Sequence, residues 1–345
     1  MNKKEFGSDF YSVINSAKEC DSELFFNGNF SYTFSGRSAL YAIIELGIKN
    51  KGWKSLLVPS YYCLEVYDFI TSLDICIDVY NCLPTDDYVY IDEEWNTSET
   101  AVLEVNYFGV KKPLIVGVEK AFKIYDVTHN LLEVKSTEEN CYFASLRKCL
   151  PLGVGGFFQS LDKDLVLNLI NTDFANEVGY KKQVGMFLKK LYLEGSNLVT
   201  KDLFRNILSD AEECFSDRRT FSSIPKLTRV ELEQLNVLSI LSLKKRNIQL
   251  AKKILKKRSS FELLTSDDNT DFALVFLFKE SAVRDSLRQY LVDNKVYPMV
   301  LWPNQKGEKE KDFEAKVLFV HMDFRHSERD IKFIIGLINN FFHEE

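Results

Sequence analysis

Three short stretches in the first half of the chain hold residue types that could do covalent chemistry together. The first is Ala144-Ser145-Leu146-Arg147-Lys148-Cys149-Leu150-Pro151, followed by Gly153-Val154-Gly155-Gly156. It sets a lysine directly after an apolar run and before a glycine-rich turn. A lysine held there is partly desolvated and near cations, which lowers its pKa and makes the amine a nucleophile toward an aldehyde. A lysine that simply faces solvent at a strand end is the alternative for any isolated case. The glycines let backbone approach a ligand closely.

The second stretch, Ile124-Tyr125-Asp126-Val127-Thr128-His129, ends an apolar run in an aspartate with a histidine three residues on. An acid at that place calls for a cationic partner, and a protonated ring nitrogen of a bound molecule is one. Capping of the next helix is the other use of such an aspartate. His129 is either a ligand contact or a packed histidine. The third stretch is Phe34-Ser35-Gly36-Arg37-Ser38-Ala39-Leu40. A glycine opening a helix lets backbone N–H groups and the Ser38 hydroxyl converge on an anion, with the helix dipole adding favourable potential. Capping alone also accounts for serine and glycine at a helix start.

The elements that must position these residues change style along the chain. Short apolar runs at 56–59, 75–80, 101–107, 122–127, 141–146 and 156–159 alternate with helical stretches up to about residue 170, the pattern of βα units. Residues 38–48 place Leu40, Ile43, Ile44 and Gly47 at helical spacing. Near-continuous apolar strands, buried on both faces, suit a mainly parallel sheet covered by helices, with ligands at the strands' carboxyl ends. Residues 180–255 are helical and basic on one face, read as a solvated face whose lysine stems cover apolar neighbours. A polar loop at 265–271, a strand at 272–277, a helix at 280–294, a turn-rich connection at 303–312, a strand at 316–321 and a helix at 328–342 complete a small α+β unit. The fold class expected is therefore α/β: a large domain, 1–250, with a mainly parallel central sheet flanked by helices, and a smaller C-terminal α+β domain, 251–345.

Composition narrows the function. The 345 residues are 46% hydrophobic and 27% charged, ordinary for a globular protein with a large core. A formal charge of -6 with no long basic block argues against a nucleic-acid partner. No stretch approaches the roughly twenty apolar residues of a membrane span, and the N-terminal residues lack the apolar core of a secretion signal. A cytoplasmic protein without membrane association is expected. The seven cysteines are scattered singly, without CxxC pairs or histidines at metal-ligand spacing, so no metal is expected and they read as small buried hydrophobes in a reducing compartment.

The three stretches occur in one order, and each resembles a motif of the DegT/StrS-type aminotransferases, which act mostly on nucleotide-linked keto sugars. Ser35 to Leu40 is similar to that family's phosphate-binding turn, and Leu56-Leu57-Val58-Pro59-Ser60-Tyr61-Tyr62-Cys63 to its second strand and following loop, from which an aromatic stacks on a pyridine ring. Tyr62 is the preferred match, with Tyr61 the alternative. Val105-Asn106-Tyr107-Phe108-Gly109 resembles the strand and turn beside the cofactor. The wording Ser-Leu-Arg-Lys at 145–148, with Gly155-Gly156 after it, resembles a divergent branch of the family. That likeness continues in Lys245-Arg246-Asn247, in Val296 to Pro303, and in Asp323-Phe324-Arg325-His326-Ser327.

The resemblance implies the aspartate-aminotransferase fold (PLP transferase fold type I), pyridoxal 5'-phosphate (PLP) as cofactor, and two half-reactions on one site. It makes Lys148 the Schiff-base lysine and Asp126 the partner of the pyridine nitrogen. It puts Gly36, Arg37, Ser38 and Ser145 at the phosphate, with Ser145 three residues before the lysine where many relatives have five. His129 then lies near the phenolic oxygen. It further implies an amino-acid donor, usually glutamate, a small-molecule keto acceptor, and a homodimer with shared sites, to which Arg218, Arg219 or Arg229 of the second subunit contributes. Some relatives dehydrate sugars on this scaffold with histidine in place of the lysine, so Lys148 favours transamination. A PLP-fold protein that has lost catalysis, and an aminotransferase for a non-sugar keto substrate, are the competing expectations.

Overall fold

The computed structural model describes residues 4–7, 9–13, 30–133, 140–160, 169–265 and 272–342. The polar loop expected at 265–271 lies outside these residues except for Thr265, as does Cys20. The chain forms two compact units, one of residues 10–106 and 112–237, the other of 4–9, 107–111 and 238–345.

The first unit is built on a seven-stranded sheet. Its strands are β1 (Phe30–Thr33), β2 (Ser55–Pro59), β3 (Cys76–Tyr80), β4 (Thr100–Val105), β5 (Phe122–Asp126), β6 (Asn140–Ser145) and β7 (Gly156–Ser160), in the spatial order β1-β7-β6-β5-β4-β2-β3. The pairs β2–β3, β2–β4, β4–β5 and β5–β6 are parallel. The glycine-rich turn reverses the chain so that β7 runs antiparallel to both β6 and β1. The mixed α/β, mainly parallel sheet expected from the apolar runs is therefore present. β4 is buried along its whole length, as a central strand between covering layers must be. β3 departs from the expectation of burial on both faces: it is the sheet edge, and only Tyr80 of its five residues is buried.

Helix α1 (Gly36–Leu46) packs its apolar face on the sheet, with Leu40, Ala42, Ile43 and Ile44 fully buried. The following helices are α2 (Leu64–Ile70), α3 (Asp173–Leu193), α4 (Lys201–Glu213) and α5 (Lys226–Glu233). Thr172 and Thr200 cap α3 and α4, their hydroxyls accepting from the N–H groups of Ala175 and Leu203. The single helical stretch read from the sequence thus resolves into capped, separate helices.

The second unit starts along α6 (Val237–Ile254) and adds an antiparallel sheet of β8 (Phe261–Leu263), β9 (Leu274–Phe278) and β10 (Val317–Val320), with α7 (Ser281–Asp293), α8 (Glu308–Lys316) and α9 (Glu328–Phe341). Helix α8 stands where a turn-rich connection was expected. Its residues are almost all charged, so apolar periodicity is missing; one buried apolar anchor, Phe313, and the Lys316–Asp312 pair across one turn hold it. Lys244 also departs from the solvated basic face, being 1% exposed. Asn247 donates to the carbonyls of Asp323 (2.8 Å) and His326 (3.0 Å), while Arg325 pairs with Asp323 and donates to the carbonyls of Gly7 and Asp9, each at 2.9 Å. These late motifs are a buried polar lock that joins Asn247 to the Asp323–Arg325 pair. Against the burial that opposes it, Arg325 holds the Asp323 carboxyl well below the usual range. No described helix is long and apolar enough to cross a membrane.

Candidate active site

The carboxyl ends of the parallel strands share one edge of the large sheet, and the candidate residues for the aldehyde and ring nitrogen lie at or beyond these ends. Tyr61 and Tyr62 come after β2, Asn106 after β4, Asp126 ends β5, and Ser145 ends β6 with Arg147 and Lys148 in the 3-10 turn beyond it. β1 and β6 both run antiparallel to β7 and hence in the same direction, so the Ser35-Gly36 turn reaches the same edge. Register makes this quantitative: Val105 lies opposite Asp126, Asp126 opposite Phe143, and Ser145 opposite Gly156, itself opposite Thr33.

The helix start is clamped to the lysine strand by two glycines. A Cβ on Gly36 would lie 3.0 Å from Ser145 Cβ, and one on Gly156 would lie 2.3 Å from the Ser35 carbonyl carbon and 2.6 Å from the Gly36 nitrogen. A side chain does not fit at 156, and one at 36 would press on Ser145. Ser35 caps the helix, its hydroxyl accepting from the Ser38 N–H at 3.2 Å, and the Ser38 hydroxyl donates to the Thr220 carbonyl at 3.1 Å. Ser38 is thus turned into the protein, so the helix start offers an anion chiefly the N–H groups of Gly36 and Arg37. Arg37 is itself buried, paired with Glu65 and donating to the Ser216 hydroxyl at 3.1 Å.

Asp126 is buried and accepts one bond on each oxygen: the Thr128 N–H on Oδ1 at 2.9 Å and the Tyr62 hydroxyl on Oδ2 at 2.7 Å. A carboxylate has about four lone-pair positions, so both oxygens keep capacity for a cationic N–H. Burial raises the pKa of Asp126 despite these bonds, an imbalance that a neighbouring cation would correct. Thr128 continues the chain, its hydroxyl accepting from the Ser145 N–H at 3.1 Å and its carbonyl from Cys149 Sγ at 2.9 Å. His129 is 3% exposed beside it.

Lys148 has solvent-exposed surface, yet enough protein surrounds it to desolvate the amine. The Arg147 charge, then burial, lower its pKa from 10.5 to about 8, with Arg37 adding to them and Glu212 and Cys63 opposing. The Tyr62 hydroxyl, raised far by burial, feels Asp126, Cys63 and Arg37. Lys148, Arg37, Cys63, Tyr62 and Asp126 are therefore one electrostatic neighbourhood. Arg218 and Arg219 stack on Tyr41 and Phe174, and Arg229 on Tyr32; their contacts lie outside this set.

Sequence reasoning did not single out Thr128, Glu65, Lys182 or Glu212. Glu212 binds Arg147 at 2.5 Å and also Lys182. No local signal marks it, because it meets the lysine turn only through packing of α4. The adjacency of Arg147 and Lys148 was the visible half of that cluster.

The arrangement is the fold of the sugar aminotransferases. Helicobacter pylori PseC, an aminotransferase involved in the biosynthesis of pseudoaminic acid, is similar over 99% of this chain and 100% of its own, with a TM-score of 0.61 and 11% identity. The putative sugar aminotransferase Spr1654 from Streptococcus pneumoniae, in its PMP form, is similar over 98% of this chain and 94% of its own (TM-score 0.58, 13% identity). The sugar aminotransferase CalS13 from Micromonospora echinospora covers 90% and is covered to 87% (TM-score 0.56, 13% identity). No protein-family model and no curated protein matches the sequence.

Proposed function

We propose that the chain is a PLP-dependent aminotransferase of the DegT/StrS type that moves an amino group from an amino acid, preferably glutamate, to the keto group of a nucleotide-linked sugar. The observation that carries this is the gathering of Lys148, Asp126 and the Gly36 helix start on one sheet edge, in a fold shared with sugar aminotransferases. The residues fit the cofactor: Gly36 leaves the space a Cβ would take against Ser145, the helix start supplies N–H donors for a phosphate, and Asp126 is a buried acid with acceptor capacity for a ring N–H. When bound, PLP supplies the electron sink that a carbanion at the amino-bearing carbon needs.

Lys148 would hold the cofactor and, once released, take up and return at Nζ the proton of the carbon that carries the amino group. Asp126 would keep the ring nitrogen protonated. Gly36, Arg37, Ser38 and Ser145 would bind phosphate, with the Ser38 hydroxyl turning from Thr220 to do so. His129 would border the phenolic oxygen and Tyr62, anchored on Asp126, the ring. The large domain to about residue 250 would be the cofactor-binding part. A cytoplasmic homodimer, with an arginine of the 217–230 stretch reaching the partner's site, belongs to the same reading.

The test of substrate class is transfer of nitrogen-15 from labelled glutamate, in the presence of PLP, to a nucleotide-linked keto hexose or to a panel of free keto acids. Label in the amino sugar, with keto acids slower by at least about tenfold, is the expected outcome, a difference of about 1.4 kcal/mol in transition-state binding. Label only in amino acids would replace the sugar with a free keto acid.

A further inference from the structure

The two oxygens of Asp126 are bonded from different parts of the sheet edge. The Thr128 N–H donates to Oδ1 at 2.9 Å, and the Thr128 hydroxyl accepts from the Ser145 N–H at 3.1 Å, which ties that side of the carboxylate to the lysine strand. The Tyr62 hydroxyl donates to Oδ2 at 2.7 Å from the loop after β2. An ionised carboxylate has no proton to give, so the tyrosine is the donor and the bond is charge-assisted. The loop that presents Tyr62 is itself pinned. The N–H groups of Ser60 and Tyr61 donate to the carbonyls of Tyr80 (2.9 Å) and Cys82 (3.3 Å) at and beyond the end of β3, and the Cys63 carbonyl accepts from the Val66 and Tyr67 N–H groups where α2 begins. Tyr62 is 4% exposed and Asp126 7%, so little solvent competes for the bond between them.

We infer that Tyr62 is a positioning residue that acts through Asp126: its hydroxyl holds the carboxylate ionised and fixes its plane where a ring N–H is to be received. The inference deepens the aminotransferase reading and rests on it for the identity of that ring. Stacking on the ring, the use expected of an aromatic in this loop, needs no hydroxyl. With Thr128 as its remaining donor the carboxylate would be free to turn about its Cβ–Cγ bond, and a buried charge would lose a partner. Burial pushes the Asp126 carboxyl up, and the bonds from Thr128 and Tyr62 act against that rise. The other charged or titratable groups of this neighbourhood are Arg37 from α1, with Glu65 as its counter-ion, Cys63 beside Tyr62, and Lys148 from the turn after β6, which shares Arg37 and Cys63 as neighbours; His129 follows three residues after Asp126. Tyr62→Phe removes one oxygen and leaves all of these in place, so the comparison isolates the bond.

The test begins on the protein without cofactor. With aspartate labelled with carbon-13 at the side-chain carboxyl, the NMR signal missing from Asp126→Asn belongs to Asp126, and its titration gives the midpoint of ionisation. The midpoint should rise by at least about one pH unit in Tyr62→Phe, a tenfold change in the protonation equilibrium. A fluorinated tyrosine installed in place of Tyr62, whose hydroxyl is a stronger donor, should lower it, and this variant decides if the phenylalanine variant does not fold. In the protein loaded with PLP, Tyr62→Phe should reduce kcat of amino transfer by about tenfold with KM for glutamate unchanged. Phenylalanine keeps the aromatic face, so a tyrosine that only stacks or packs would leave both midpoint and kcat in place. An unmoved midpoint, or a moved midpoint with kcat unchanged, overturns the inference. Uptake of PLP on Lys148 by the wild-type protein is scored separately: its absence would fail the aminotransferase reading, and this inference with it, whatever the midpoint.

Discussion

Lys148→Ala is expected to fold, to bind no PLP covalently, and to lose at least about 10⁴ in turnover, because one side chain supplies both the nucleophile and the proton carrier. Loss of the cofactor tether alone would raise only the concentration of PLP required, whereas loss of the proton carrier persists at saturation. Folding should survive, since the side chain has exposed surface and no bond of it holds an element in place. Stability supplies an independent readout. The folded pKa of about 8 is below the ordinary 10.5, so the unfolded chain binds more protons between those values. Stability contributed at this position therefore rises with pH from about 8 to 10.5. The difference in urea midpoint between wild type and Lys148→Ala should change in favour of the wild type across that window. Turnover within tenfold of wild type at saturating PLP would remove Lys148 from the reaction.

Asp126→Asn is expected to keep PLP uptake on Lys148 and to slow amino transfer by on the order of 10³, the scale of losing one preorganised charged partner of a developing charge. Asparagine keeps the shape, and the Tyr62 hydroxyl can reverse its role toward the new amide. What is lost is the charge that holds a proton on the ring nitrogen. Burial raises the folded pKa of Asp126 above 3.8, so the folded state binds the extra proton and stability falls as pH rises through that range. Without bound cofactor the asparagine variant should therefore melt no lower than wild type at pH 7 to 8. Single-turnover transfer from glutamate, followed by absorbance, measures the rate; a loss of less than tenfold contradicts the assigned role.

Much of this site was legible because parallel strands leave a strong trace. The apolar runs that became β2, β4, β5 and β6 are parallel strands, and their common polarity puts whatever follows them on one edge. Asp126 and Lys148 could thus be placed together although 22 residues apart. β1 was not singled out: Phe30–Thr33 is a run of only four residues, of which only Thr33 is buried. Helix α8 lacked apolar periodicity for the reason given above. Side-chain pairings were beyond reach where they depend on tertiary packing. The Tyr62 hydroxyl on Asp126 and the Glu212 carboxylate on Arg147 join segments 64 and 65 residues apart. The late Asn247 and Asp323-Phe324-Arg325 motifs were visible as motifs, but that they form a buried lock in the second unit emerges only from their bonds.

The most direct test of the account is the absorbance of the purified protein with PLP, before and after glutamate, followed by borohydride reduction and peptide mapping. Wild-type protein is expected to gain with PLP an absorption band absent from the apoprotein, to lose it on adding glutamate, and to carry reduced cofactor on the peptide that contains Lys148 when reduction precedes glutamate. Absence of the band together with no adduct on Lys148 would contradict the account, and would make the chain a protein that keeps the aminotransferase fold without its chemistry.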